Sequence, residues 1–246
     1  MLSLSREDSA NMARVIIPLD VPTLERAMNL VDCLGEAADF YKVGLELFTC
    51  EGSSAVEELK KRDKSVFLDL KLLDIPNTVA RAVAGARELE VDLLTLHTTG
   101  GRAMMEAAAE AAEDDLTLLG VTVLTSMTAS DLGDSWGRRV DSVQPEVVRL
   151  ARLARESGVG GVVASVWEAA SIKEDLGSDL VVVTPGIRLA GDGAHDQARV
   201  STPAEAVAAG VDYLVIGRSV TRAPNPAEAL RRVHQEMAGP SAVGMV

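Results

Sequence analysis

Aromatic residues are scarce: Phe, Trp and Tyr together make up 3% of the 246 residues. That is too few for a stacking platform along single-stranded nucleic acid. Positive charge is also in short supply. Lys and Arg number 24 against 37 Asp and Glu, giving a formal net charge of −13 and a pI of about 4.7. Such a surface repels phosphate backbones, which argues against nucleic acid as a partner but leaves room for a small anion in a locally basic pocket. The two cysteines, Cys33 and Cys50, form no C-x-x-C. They cannot build a disulfide framework or a four-cysteine zinc site, and they read as reduced thiols of a cytoplasmic protein. No run of 18 apolar residues occurs, so no membrane-spanning helix and no membrane partner are expected. The opening MLSLSREDSANM carries Arg6, Glu7 and Asp8 and does not read as a signal peptide. G-x-G-x-x-G, the P-loop, H-E-x-x-H and G-x-S-x-G are all missing, and His97, His195 and His234 are scattered. Nothing demands a dinucleotide, a metal or a covalent cofactor, and none is expected.

What is present is an ordinary globular composition, 47% hydrophobic and 25% charged, over a length that one barrel domain can fill. The apolar runs alternate between two periods. Arg14 to Asp20 is short, β-branched and closed by a carboxylate, as a buried parallel strand would be. Leu24, Ala27, Met28 and Val31 then mark one stripe of a helix. Further strands are expected at 39–44, 65–71, 92–97, 116–125, 161–165, 180–184 and 212–217. Helices are expected between them, near 53–62, around Val79 to Ala86, at 101–112, from Val147 to Ala154, after 165, at 203–209 and around Ala229 to Val233. Eight strand–helix units without a composition break predict a single α/β domain, a closed (β/α)8 TIM barrel over residues 14–237. An open doubly wound sheet is the competing arrangement, but it would leave edges to protect. Residues 1–13 read as a flexible extension, with Met12 a conceivable start, and 238–246 as a tail.

In such a barrel the chemistry sits at the carboxyl ends of the strands. The polar residues expected there are Asp20, Lys42, Asp69, Lys71, Asp74, His97, Thr125, Ser126, Arg188 and Arg218. The densest stretch is Phe67-Leu-Asp-Leu-Lys-Leu-Leu-Asp-Ile-Pro-Asn-Thr78. Strand alternation sends Asp69 and Lys71 to the same face, the barrel mouth, while Leu68, Leu70 and Leu72 face the helices. Pro76-Asn77-Thr78 then prepares a helix start. Carboxylates at 69 and 74 beside an ammonium stabilise its charged form. A protonated lysine can give its proton to a developing carbanion, whereas a Schiff-base lysine must be neutral. The pattern therefore favours proton transfer. His97 reads as a hydrogen-bonded barrel residue. A second cluster, Thr184-Pro-Gly-Ile-Arg188, Gly193 to Gln197 and Ile216-Gly-Arg218, follows the last two strands, where barrels often seat a phosphate. Gly217 would admit the phosphate to the backbone and Arg218 would pair with it.

Taken in order, Leu19-Asp20, Lys42-Val-Gly44, Asp69-Leu-Lys-Leu-Leu-Asp-Ile-Pro-Asn-Thr78, Val123-Leu-Thr-Ser126, Thr184-Pro-Gly-Ile-Arg188 and Ile216-Gly-Arg218 resemble the orotidine 5′-phosphate decarboxylase family over residues 14–237. The resemblance implies decarboxylation of orotidine 5′-phosphate to uridine 5′-phosphate, the last step of pyrimidine nucleotide synthesis, without metal or organic cofactor. It implies a homodimer with sites at the subunit interface. Lys71 would be the proton donor to C6, with Asp69 beside the departing carboxylate. Asp74, Ile75 and Thr78 would reach the partner's site. Lys42 would complete the charge array and touch the ribose, and Asp20 would bind a ribose hydroxyl. Thr125 and Ser126 would face the pyrimidine, and Arg188, Gln197, Gly217 and Arg218 would hold the phosphate. Leu73 stands where many relatives have His, and Ser53 where many have Pro. Magnesium-dependent sugar-phosphate lyases and decarboxylases on the same barrel share the D-x-K-x-x-D strand and form the alternative. A catalytically inactive nucleotide-binding barrel is a further one.

Overall fold

Short apolar strands with a side-chain period of two bury both faces only if something covers each side. The computed structural model describes residues 13–189 and 201–239, and in it eight parallel strands close into a barrel in chain order. They are β1 (Arg14–Pro18), β2 (Phe40–Gly44), β3 (Ser65–Leu72), β4 (Leu93–His97), β5 (Thr117–Val121), β6 (Gly161–Val163), β7 (Val181–Thr184) and β8 (Tyr213–Val215). β1 pairs with β8, so the sheet keeps no edge and the expected (β/α)8 closure is the one found.

The two strand faces feed two separate cores. Ile16, Phe40, Phe67, Leu93, Leu119, Val183 and Val215 pack together as the filling of the barrel. Phe40 meets Tyr213 edge to face, with ring centroids 5.6 Å apart. Their sequence neighbours Ile17, Tyr41, Leu68, Leu94, Leu118, Val182 and Leu214 belong to the larger core between strands and helices.

The surrounding helices are α1 (Leu24–Leu34), α2 (Leu45–Glu51), α3 (Ser54–Lys60), α4 (Pro76–Glu88), α5 (Arg102–Ala112), α6 (Ala129–Trp136), α7 (Val143–Glu156), α8 (Val166–Leu176), α9 (Pro203–Ala208), α10 (Arg218–Thr221) and α11 (Pro226–Met237). α1 buries Ala27, Met28, Val31 and Leu34 and starts on Thr23, whose side chain accepts from the Arg26 N–H. Reciprocal capping boxes start α6 on Thr128 and Asp131, α8 on Ser165 and Glu168, and α9 on Thr202 and Glu205. α4 begins at Pro76, whose missing N–H costs nothing in the first turn.

Some boundaries differ from expectation. The helix expected near 53–62 is preceded by a separate one, α2, and Gly52 at φ 60 makes the break. α6 was not expected, because it buries only Leu132 and shows no long apolar stripe. β5 ends at Val121, short of Thr125, since β6 offers only Gly161 to Val163 as pairing partners. Beyond it the chain turns over the mouth, and the Thr122 hydroxyl donates to the Val163 carbonyl at 3.1 Å.

The amino-terminal end of the barrel carries one device twice. Asp92, just before β4, takes the Val66 N–H on its carboxylate at 2.7 Å, with its own N–H on the Val66 carbonyl at 2.9 Å. Asp212, just before β8, treats Val182 identically at 2.6 and 3.0 Å. A lysine closes each, Lys60 at 3.7 Å and Lys173 at 2.7 Å.

Candidate active site

Two residues beyond Phe40, Phe67 and Leu93, on the same face of their strands, stand Lys42, Asp69 and Thr95. The barrel filling is therefore the floor on which the polar residues rest. Lys42 is only 9% exposed. Its ammonium lies 2.9 Å from Asp20 Oδ1 and 3.7 Å from Asp69 Oδ2. Lys71 Nζ lies 2.8 Å from Asp69 Oδ1. Asp20, Lys42, Asp69 and Lys71 thus form a row of alternating charge from β1 to β3.

Lys71 joins Asp69 on the face that alternation expects, with Leu70 and Leu72 packed on the helix side, but its backbone gets there irregularly. The register between β3 and β4 shifts between Leu68 and Leu72, and Lys71 has a left-handed backbone at φ 51. The bulge interrupts the ladder at this point, and the buried Thr95 hydroxyl accepts the Lys71 N–H at 2.9 Å. Thr95 was not among the expected residues. The sole polar side chain within Leu93-Leu-Thr-Leu96, opposite Asp69 in the unshifted register, was the signal that could have found it.

Gly44 makes room for the row. A Cβ there would stand 2.6 Å from Lys42 Nζ and 3.3 Å from Asp20 Oδ1. His97 closes β4 half-buried; burial first, and the Lys71 ammonium second, push its imidazole below the usual range, against an opposing pull from Asp69.

Two cavities meet at Lys42 and Pro185. The outer one, of about 820 Å³, is lined by Asp20, Lys42, Arg188, Gly217 and Arg218. Arg26 and Arg222 line it as well, so its cations outnumber Asp20 and Glu46, and this is a cationic chamber on an acidic protein. The inner one, of about 200 Å³, is lined by Lys42, Asp69 and Lys71 together with Phe67, Val121, Val123, Thr125 and Val183. It is a mostly apolar slot with a charged end, suited to a flat ring.

The remaining candidates are placed differently. Ser126 is exposed and lines neither cavity. Asp74 is exposed, and its carboxylate accepts the Ile75 N–H at 2.6 Å. No ion pair joins it to Lys71 within the chain among the described residues, so Lys71 has one flanking carboxylate here and not the two expected. Ile75 is 67% exposed near a Leu73 that is 56% exposed, and Thr78 follows on the first turn of α4. Gln197 and His195 lie outside the described residues. Among the described residues no group of three or more His, Cys, Asp or Glu is arranged to hold a metal ion. The carboxylates of Asp20 and Asp69 already share the Lys42 ammonium, which opposes a cation between them.

These features define a (β/α)8 barrel with a charge-alternating, anion-accepting pocket at the carboxyl ends of its strands. The chain belongs to the Orotidine 5′-phosphate decarboxylase / HUMPS family, whose sequence profile matches residues 13–233. It is 47% identical over 229 residues to an orotidine 5′-phosphate decarboxylase of Gloeothece citriformis, covering 92% of this chain and 97% of that one. It is 49% identical over 230 residues to the enzyme of that name from Laribacter hongkongensis, covering 92% and 94%. The crystal structure of orotidine 5′-phosphate decarboxylase from Lactobacillus acidophilus superposes with a TM-score of 0.82 at 33% identity, covering 92% of this chain and 99% of that one.

Proposed function

We propose that this protein is a cytoplasmic enzyme of pyrimidine nucleotide synthesis that converts orotidine 5′-phosphate to uridine 5′-phosphate and CO2. The observation that carries the reading is the Asp20–Lys42–Asp69–Lys71 row at the junction of a cationic chamber and a flat apolar slot. The phosphate takes the outer chamber, held by Arg188, Gly217 and Arg218; a role for Gln197 rests on the family resemblance alone. Asp20 and Lys42 take the ribose hydroxyls. The pyrimidine enters the inner slot against Thr125; Ser126, exposed outside both cavities, would have to turn inward to meet it.

The C6–carboxylate bond then breaks, and its electron pair stays on C6 as an sp2 carbanion that the ring π system cannot share. The Lys71 ammonium stabilises that pair electrostatically and delivers a proton to it; the resulting amine recovers a proton from water. Asp69 faces the leaving carboxylate. No metal or organic cofactor takes part. In a homodimer, Asp74, Ile75 and Thr78 of each subunit complete the site of the other, which accounts for a carboxylate and an apolar side chain left outside their own pocket.

The test is spectrophotometric. Chelator-treated protein is mixed with orotidine 5′-phosphate, and the change from orotate to uracil absorbance is followed. Turnover without metal is the expected result. Silence toward this substrate, with turnover of a sugar phosphate once magnesium is supplied, would reassign the chain to a magnesium-dependent lyase and recast Asp69 as a metal ligand.

A further inference from the structure

Between the paired positions Leu68–Leu94 and Leu72–Leu96, β3 spends four steps where β4 spends two. The surplus falls on Asp69, Leu70 and Lys71, and Lys71 absorbs it in a left-handed conformation, φ 51, that residues other than glycine rarely adopt. A bulge of this kind interrupts the ladder and strands a backbone N–H away from its carbonyl partner. Here the acceptor is supplied by a side chain. Thr95 Oγ1 accepts the Lys71 N–H at 2.9 Å and donates to Asp69 Oδ1 at 2.9 Å. The same Asp69 oxygen receives the Lys71 ammonium at 2.8 Å. One hydroxyl thereby closes a ring through the lysine backbone, the lysine ammonium and the carboxylate.

The geometry leaves the hydroxyl no choice of orientation. A threonine has one proton to give. With an N–H pointing at its oxygen, that proton has to go to the carboxylate. Thr95 is fully buried, so water does not compete for either bond. It lines neither cavity and does not reach a ligand itself.

We infer that Thr95 is a positioning residue, holding the Lys71 ammonium and the Asp69 carboxylate in mutual register across the β3 bulge. The inference rests on the decarboxylase reading above. A threonine that merely filled the bulge would matter for stability and not for turnover. One that sets the lysine's position matters for the chemical step, where a displacement of about 1 Å can cost about 10²-fold.

The experiment compares the wild type with Thr95→Val, which keeps the shape, and Thr95→Ser, which keeps the hydroxyl. Thr95→Ala serves as a second hydroxyl-free variant if the valine protein does not fold. Decarboxylation of orotidine 5′-phosphate is measured for each, and uridine 5′-phosphate binding by calorimetry. The expected result is a kcat about 10²-fold lower without the hydroxyl, with KM and product affinity within about threefold of wild type. The serine variant should recover kcat to within about fivefold. A hydroxyl-free variant with kcat within about threefold of wild type overturns the inference, and so does a serine variant as impaired as valine. A wild type that does not decarboxylate this substrate defeats the underlying reading and the inference together. An active wild type with an indifferent valine variant defeats the inference alone.

Discussion

Lys71 and Gly44 show how little latitude the row of charges has. Lys71 ends in an ion pair with Asp69 and begins in a strained backbone. Lys71→Ala removes the proposed proton donor and leaves the cationic chamber intact. It should reduce turnover to background while uridine 5′-phosphate still binds, as calorimetry on the variant would show; residual rapid turnover would take the proton from elsewhere. Gly44 has φ −99, a conformation open to any residue, so alanine there does not strain the chain. Its methyl would instead evict the end of the flexible Lys42 side chain from its seat beside Asp20. Gly44→Ala should melt within a few degrees of wild type, with kcat/KM lower by about tenfold or more. Equal activity would mean the Lys42 ammonium has a second acceptable seat. These residues were legible to different degrees. Asp20, Lys42, Asp69 and Lys71 stand at strand ends in the bare sequence. The role of Gly44 in clearing space for a neighbour two positions away, and of Thr95 across a shifted register, requires three-dimensional contact. No spacing rule contains that information.

Among the elements, the strands were readable because each is a short, mostly apolar run, and the longer helices because they bury a stripe. α2, α6 and α10 were not read: each buries a single side chain, Leu47, Leu132 and Val220 respectively, so no apolar stripe repeats. The β3 bulge was equally hidden, since extra residues in one strand show only against its partner. What secures the strands at the far end of the barrel is the aspartate bracket repeated before β4 and β8. Asp212→Ala strips the Val182 N–H and the Lys173 ammonium of a shared acceptor. Stability should fall by about 1–3 kcal/mol in chemical denaturation. kcat should not change, because the bracket lies at the end opposite the pocket; a loss of turnover without a loss of stability would contradict this division of labour.

At the scale of the whole molecule, a net charge of −13 surrounds one chamber lined by Arg26, Arg188, Arg218 and Arg222. A small anion approaching this acidic protein finds four arginines gathered at the one chamber. The fold also has a built-in sensitivity to acid. His97 is held below its ordinary value of 6.5 by burial and then by Lys71, and His234 by burial against the pull of Asp39. The unfolded chain therefore binds protons that the folded chain refuses, and stability should decline as pH falls below about 6.5. Between about pH 6.5 and pH 5, above the range where most carboxylates titrate, His97→Gln should reduce the slope of stability against pH. An unaltered slope would remove His97 as a source of the dependence. Assembly is the remaining expectation at this scale. Ile75→Asp places a charge on an apolar side chain that is 67% exposed in the single chain. If that surface joins two subunits, sedimentation should show monomers, and activity should fall with them; an intact dimer would move the interface elsewhere.

Lys42 lines both cavities and touches a carboxylate in each direction, Asp20 at 2.9 Å and Asp69 at 3.7 Å. An ammonium that forms the party wall between two rooms, with a carboxylate on each side, is shared by whatever occupies either. On the proposed reading a ribose phosphate alone, or a free pyrimidine alone, would meet this wall from one side only. The whole nucleotide would span both rooms and meet the same ammonium from each side. Affinities of the two fragments, measured separately and together, should then fail to add up to that of the intact ligand.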